Sequence, residues 1–175
     1  MESVSVLLTA ESIEKRVCEL AAEIDRDYGG KVITLLGALK GAVVFMSDLA
    51  RKLTSGVEFD FIKVSSYGDS TESSGDVALM KKPDMNIGGR HILLVEDIVD
   101  TGYTLEFLRK YILAQNPASF KVCSLLDKPD RRKVGGGPLF DYLGFAIPDK
   151  FVVGYGLDYA QRYRNLPYVG VLDIE

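Results

Sequence analysis

Apolar positions along the chain give the first outline of its elements. After Thr9, the residues Ile13, Val17, Leu20, Ala21 and Ile24 recur on one helical face until Gly29-Gly30, which predicts an amphipathic helix with Thr9 as its N-cap. The β-branched run from Val32 to Leu36 predicts a strand. Beyond Gly37-Ala38-Leu39-Lys40-Gly41, a second helical pattern extends from about Ala42 to Leu53. Val57, Phe59 and Phe61 alternate with Glu58 and Asp60, the signature of a half-buried strand running to about Val64. Residues 65–75 are small and polar, so a mobile loop is expected there, with a strand resuming over Val77 to Met80 and a turn at Asn86 to Gly89. Ile92-Leu93-Leu94-Val95 is continuously apolar, as a central parallel strand buried on both faces requires. A helix follows, marked by Thr104, Leu105, Leu108 and Ile112 and ending near Asn116-Pro117. Lys121 to Leu126, Tyr142 to Ile147 and Phe151 to Tyr155 read as later strands, with a turn at Gly135 to Pro138. Strands alternating with helices predict a doubly wound α/β fold with a mainly parallel central sheet flanked by helices.

Composition narrows this outline. A chain of 175 residues, 47% hydrophobic and 26% charged, suits one domain with a sizeable core. The start of the chain lacks a basic, then apolar, leader, and every apolar run is broken well short of about 18 residues, so a cytoplasmic protein with no membrane segment is expected. Cys18 and Cys123 lie far apart outside any metal-binding spacing and read as buried, reduced thiols. His91 is the only histidine, which disfavours zinc sites and a Ser/His/Asp triad; it is expected to open a strand. The net charge of −4 argues against nucleic acid as a partner. Any phosphate must be bound locally, by backbone N–H groups, a few placed cations and a metal.

The stretch Ile92 to Leu105 is suited to that task. Its apolar strand delivers Glu96 and Asp97 to the strand end, and the loop Asp100-Thr101-Gly102-Tyr103-Thr104 then opens a helix. Free N–H groups and the hydroxyls of Thr101 and Thr104 suit a phosphate where the helix dipole favours an anion. Two adjacent carboxylates suit a ribose diol or the water shell of a hard cation such as Mg2+.

In this string the chain resembles the phosphoribosyl pyrophosphate signature of the type I phosphoribosyltransferases, apart from Tyr103, where purine-salvage members often carry lysine. Leu39-Lys40-Gly41, Ser66-Tyr67, Lys128 and the segment from Pro148 to Asp158 with Arg164 extend the resemblance to the hypoxanthine-guanine phosphoribosyltransferases. That resemblance implies a single domain over residues 1–175, with a core of about 30–135 and a small hood built from the two terminal segments. It also implies purine salvage: hypoxanthine or guanine and phosphoribosyl pyrophosphate become IMP or GMP and pyrophosphate, in a homodimer or homotetramer using Mg2+.

By the same resemblance, Glu96, Asp97, Asp100, Thr101, Gly102, Tyr103 and Thr104 hold the phosphoribosyl group, and Leu39, Lys40, Gly41 and Arg164 hold pyrophosphate. A cis peptide is expected between Leu39 and Lys40. Ser66 and Tyr67 belong to a loop that closes over the site, and Lys128, Phe151, Val152 and Asp158 bind the purine. Glu96, Asp97 and Asp158 serve the metal, and Asp100 is the catalytic base. Lys128 donates to an exocyclic O6, selecting oxopurines over adenine, while Phe151 offers a stacking face. Arg131-Arg132-Lys133 reads as solvated surface. A nucleotide-sensing RNA-binding regulator and a pyrimidine or orotate transferase are the alternatives, and the preference among hypoxanthine, guanine and xanthine stays open.

Overall fold

A computed structural model describes residues 2–66, 77–135 and 139–174. The predicted loop beyond Ser66, including Tyr67, and most of the Gly135 to Pro138 turn lie outside the described residues. The central sheet has six strands, β2 (Ile33–Ala38), β3 (Val57–Ser66), β4 (Val77–Lys81), β5 (His91–Val99), β6 (Ser119–Asp127) and β7 (Tyr142–Ala146). Their spatial order is β4-β3-β2-β5-β6-β7, parallel except for the edge strand β4. From β2 the chain winds outward to β3, and from β5 it winds the other way to β6 and β7. Their carboxyl ends therefore flank the switch point where ligands of open α/β sheets gather.

Helix α1 (Ala10–Tyr28) forms because Thr9 accepts a hydrogen bond from the Ser12 N–H at 3.2 Å and Gly29 closes the other end. Its buried stripe is Ile13, Val17, Leu20, Ala21, Ile24 and Tyr28. With α2 (Val43–Lys52), this stripe packs against Leu35, Leu93, Val95 and Cys123 on one face of the sheet. Helix α3 (Tyr103–Leu113) packs Leu105, Leu108 and Ile112 against Leu36, Ile92, Leu94 and Val122 on the opposite face. Alternate residues of β5 thus serve two cores, which explains its unbroken apolar run.

The terminal segments meet in a second, antiparallel sheet of order β1-β9-β8, formed by β1 (Glu2–Leu8), β8 (Val152–Val153) and β9 (Val169–Ile174). Neither β1 nor β9 announced itself in the apolar pattern, because each strand is completed by pairing across almost the full chain.

Three sequence expectations are corrected. Strand β3 is not buried on its aromatic side alone: Val57 and Phe61 pack partly against one core while Phe59 is 48% exposed, and Asp60 and Ile62 on the other side are buried. Asp60 is satisfied there by the N–H groups of Phe61, Asp84 and Met85 at 2.7, 3.1 and 2.7 Å, so tertiary hydrogen bonds let a carboxylate occupy an inner position. Cys18 is exposed while Cys123 is buried, since Cys18 lies one residue past Val17 and falls off the buried stripe of α1. The strand expected over Phe151 to Tyr155 shrinks to Val152–Val153, because only this pair finds partners on β9.

Candidate active site

Strand β5 runs through the apolar stretch to Val99, so Glu96 and Asp97 lie within its carboxyl end, as the sequence led one to expect. Glu96 is buried, and its Oε1 has no hydrogen-bond partner among the described residues. Burial and the neighbouring Asp97 push its carboxyl well above the usual range. Asp97 is pushed up to about 6, chiefly by burial, against the opposing help of the Ile98 N–H and the Arg164 charge. Two adjacent acids resisting ionisation are an electrostatic setting that a bound cation would relieve.

The cavity beside them measures about 310 Å³. Its walls come from the end of β2 (Ala38 to Gly41), from β5 and its loop (Glu96 to Gly102), and from Thr104, Asp158 and Arg164. The Leu39–Lys40 peptide is cis. Gly41 is required by proximity, since a Cβ at this position would lie 1.5 Å from Asp97 Oδ2. Gly102 caps α3 at φ 93° with no side-chain cap. A Cβ there would also come within 2.4 Å of Val134. The N–H groups of the first helical turn consequently remain for an anion.

Across the cavity, Lys40 Nζ donates to Gln161 Oε1 at 3.0 Å, and Arg164 pairs with Asp158 at 2.7 Å while donating to the Gly156 carbonyl. A second cleft opens alongside, lined by Lys128, Phe151, Val152 and Leu157 and sharing Asp97, Ile98, Asp100 and Asp158 with the first. Lys128, at the end of β6, is buried, and the carboxylate nearest it is Asp149 at 3.7 Å. Phe151 is 52% exposed and stands edge-on to Tyr159, leaving a flat apolar surface at the mouth.

Almost every candidate from the sequence thus reaches one continuous cleft. Tyr103 begins α3 but does not line it, Ser66 ends β3, and Tyr67 is beyond the described residues. The arginine run was misjudged. Arg131 Nε donates to Asp100 Oδ1 at 3.0 Å, and Arg132 donates to the Asp100 carbonyl at 2.9 Å while pairing with Asp127. Lys133 and Val134 add N–H bonds to the Thr101 carbonyl. Adjacent cations in a polar segment carry no periodicity, so nothing local distinguishes a side chain that turns inward.

Among the described residues no set of three acidic, histidine or cysteine side chains forms a complete metal cage. Mg2+ does not need one, because it is commonly held by one or two carboxylates together with substrate phosphates and water. The orphaned Glu96 oxygen and the raised Asp97 fit such a partial donor set.

Comparison with known proteins agrees with this geometry. A model of the phosphoribosyl transferase domain matches residues 3–160. The hypoxanthine-guanine phosphoribosyltransferase of Mycobacterium tuberculosis is 50% identical over 97% of this chain and 86% of its own length. That of Bacillus subtilis is 49% identical over 95% and 92%. A crystal structure of the hypoxanthine-guanine phosphoribosyltransferase from Bacillus anthracis, with HEPES in its active site, superposes at a TM-score of 0.91 with 43% identity, covering 99% of this chain and all of that one.

Proposed function

The chain belongs to the phosphoribosyl transferase family, and from that premise we propose that it is a purine-salvage enzyme. It transfers the ribose 5-phosphate of phosphoribosyl pyrophosphate to hypoxanthine or guanine and releases pyrophosphate. The observation that carries this reading is the fusion of an anion-binding cavity with an apolar, lysine-ended cleft, sharing Asp97, Ile98, Asp100 and Asp158 at the switch point.

In this scheme the 5-phosphate lies on the Thr101 to Thr104 loop, against free N–H groups and the α3 dipole. Glu96 and Asp97 bind the ribose hydroxyls and would hold Mg2+, with Asp158 as a further oxygen donor. The metal, when bound, neutralises the diphosphate and so makes it a better leaving group. Lys40 and Arg164 receive the departing charge from the β2 end and the C-terminal lip. Phe151 covers one face of the purine, the Val152 backbone meets its edge, and Lys128 donates to O6. Adenine presents an amino donor at that position and faces an ammonium with no acceptor. Asp100, at the junction of the two clefts, accepts the N7 proton as the ring attacks the anomeric carbon. Negative groups along the floor favour the oxocarbenium-like ribose that forms between bond breaking and bond making.

An initial-rate comparison of hypoxanthine, guanine, xanthine and adenine with phosphoribosyl pyrophosphate and Mg2+ tests the assignment. Turnover of hypoxanthine or guanine without adenine is expected. Adenine accepted as readily as the oxopurines would overturn it.

A further inference from the structure

We propose that Arg131 is a positioning residue for the transfer reaction, aiming the Asp100 carboxylate at the incoming purine. This inference rests on the reading of Asp100 as the proton acceptor. Asp100 leaves the end of β5 on a loop, where an unsupported carboxylate samples several rotamers. Arg131 restricts that freedom through its 3.0 Å hydrogen bond from Nε to Oδ1. Its guanidinium is not itself among the groups lining the purine cleft, so it acts through Asp100 rather than on the base.

The arginine is in turn held from two sides. Its backbone belongs to the short 3-10 turn Pro129–Arg131 that follows Lys128, with the Arg131 N–H bonded to the Lys128 carbonyl at 3.1 Å. Its NH1 lies 3.8 Å from Asp149, whose other oxygen is 3.7 Å from Lys128 Nζ. A chain of alternating charge, Asp100–Arg131–Asp149–Lys128, therefore links the proton acceptor to the O6 donor. Those groups address neighbouring atoms on one edge of an oxopurine. Fixing their separation fixes the register of the base over the ribose, and reaction rates fall steeply when reacting groups are misplaced by even 1 Å.

Arg131 is 40% exposed at its side chain and contributes to no core cluster, so its replacement leaves folding intact. The test is a double-mutant cycle of Arg131→Met and Asp100→Asn, measured by kcat and KM for both substrates. R131M is expected to lower kcat about tenfold, with little change in KM for phosphoribosyl pyrophosphate. R131K should recover only part of that loss, because an ammonium keeps the charge but not the planar guanidinium. In the D100N background the same R131M substitution should cost almost nothing, since its object is gone. A slow D100N enzyme together with an unaffected R131M enzyme would overturn this proposal alone. An equal R131M loss in both backgrounds would do the same. Full turnover by D100N would overturn the reading of Asp100 and the proposal with it.

Discussion

The floor and the lip of the cleft treat charge in opposite ways. At the floor, Glu96 is buried with one oxygen unpartnered among the described residues, Asp97 beside it is half-buried and accepts the Ile98 N–H, and both resist ionisation. Around the lip, Arg164 is matched by Asp158, Arg131 by Asp100, and Lys128 lies near Asp149. The floor lacks a partner for Glu96 Oε1, whereas the acids and bases of the lip already face one another. On the proposed function, binding of metal and ribose would draw on the strand, and selectivity for diphosphate and base on exposed or half-exposed ion pairs, which are individually weak in water.

The contrast is broken most completely at its boundary. Gly41→Ala places a methyl group where Asp97 Oδ2 now sits, and a drop in kcat/KM of about a thousandfold is expected from losing both the loop and the carboxylate geometry. Near-normal turnover would mean that the floor can reshape. Glu96→Gln keeps the shape and replaces an acid that resists ionisation with a neutral amide: kcat/KM should fall about a hundredfold, while the metal-free protein melts a few degrees higher near neutral pH because folding no longer carries the cost of holding that acid protonated. Initial rates read the first effect and thermal unfolding without Mg2+ the second, and a lower metal-free Tm would contradict the unfinished-floor view.

At the lip, effects should be smaller and separable by substrate. Arg164→Met is expected to raise KM for phosphoribosyl pyrophosphate about thirtyfold, in line with losing a charge-assisted contact, and to leave KM for hypoxanthine nearly unchanged. Lys128→Met should do the reverse, weakening oxopurines about tenfold and narrowing their advantage over adenine. Parallel changes in both constants for either variant would show that the two clefts are not independent.

The smallest effect is one of pH. The floor acids titrate higher in the folded protein than when unfolded, so the folded state holds more protons over a window that for Asp97 runs from about pH 4 to about pH 6. Without metal, their contribution to stability thus declines as pH rises through that window. Mg2+ requires them ionised, and its stabilisation should consequently be larger near pH 7.5 than near pH 5.5 by roughly a degree or two in Tm. Equal Mg2+-induced shifts at the two values would argue that the metal does not rest on these two carboxylates.

Much of the fold was legible because it follows from local periodicity. The α1 stripe, the doubly buried β5 and the glycine-bounded loop after β2 are written in neighbouring residues, each forced by the solvent preference of its side chains. The ordered string from Glu96 to Thr104 likewise pointed to a strand end that lines a cavity at the switch point. Three kinds of feature escaped. β1 and β9 are completed by pairing across the chain, with Glu2 opposite Ile174 and Val152 opposite Val171. The inward turn of Asp60 depends on N–H groups at 84 and 85, which no pattern within β3 reveals. Arg131 and Arg132 carry the same chemistry as any solvated basic pair, and only the approach of Asp100 and Asp127 gives them a role.

The sequence by itself therefore determined the class of fold, the strand that bears the acids and the kind of ligand they suit. All of these are set by the order of apolar, acidic and glycine residues over short spans. Tertiary structure decided which charges remain without partners and which are neutralised. That distinction depends on distances between residues far apart in the chain and on the water excluded between them, and neither is encoded at any single position.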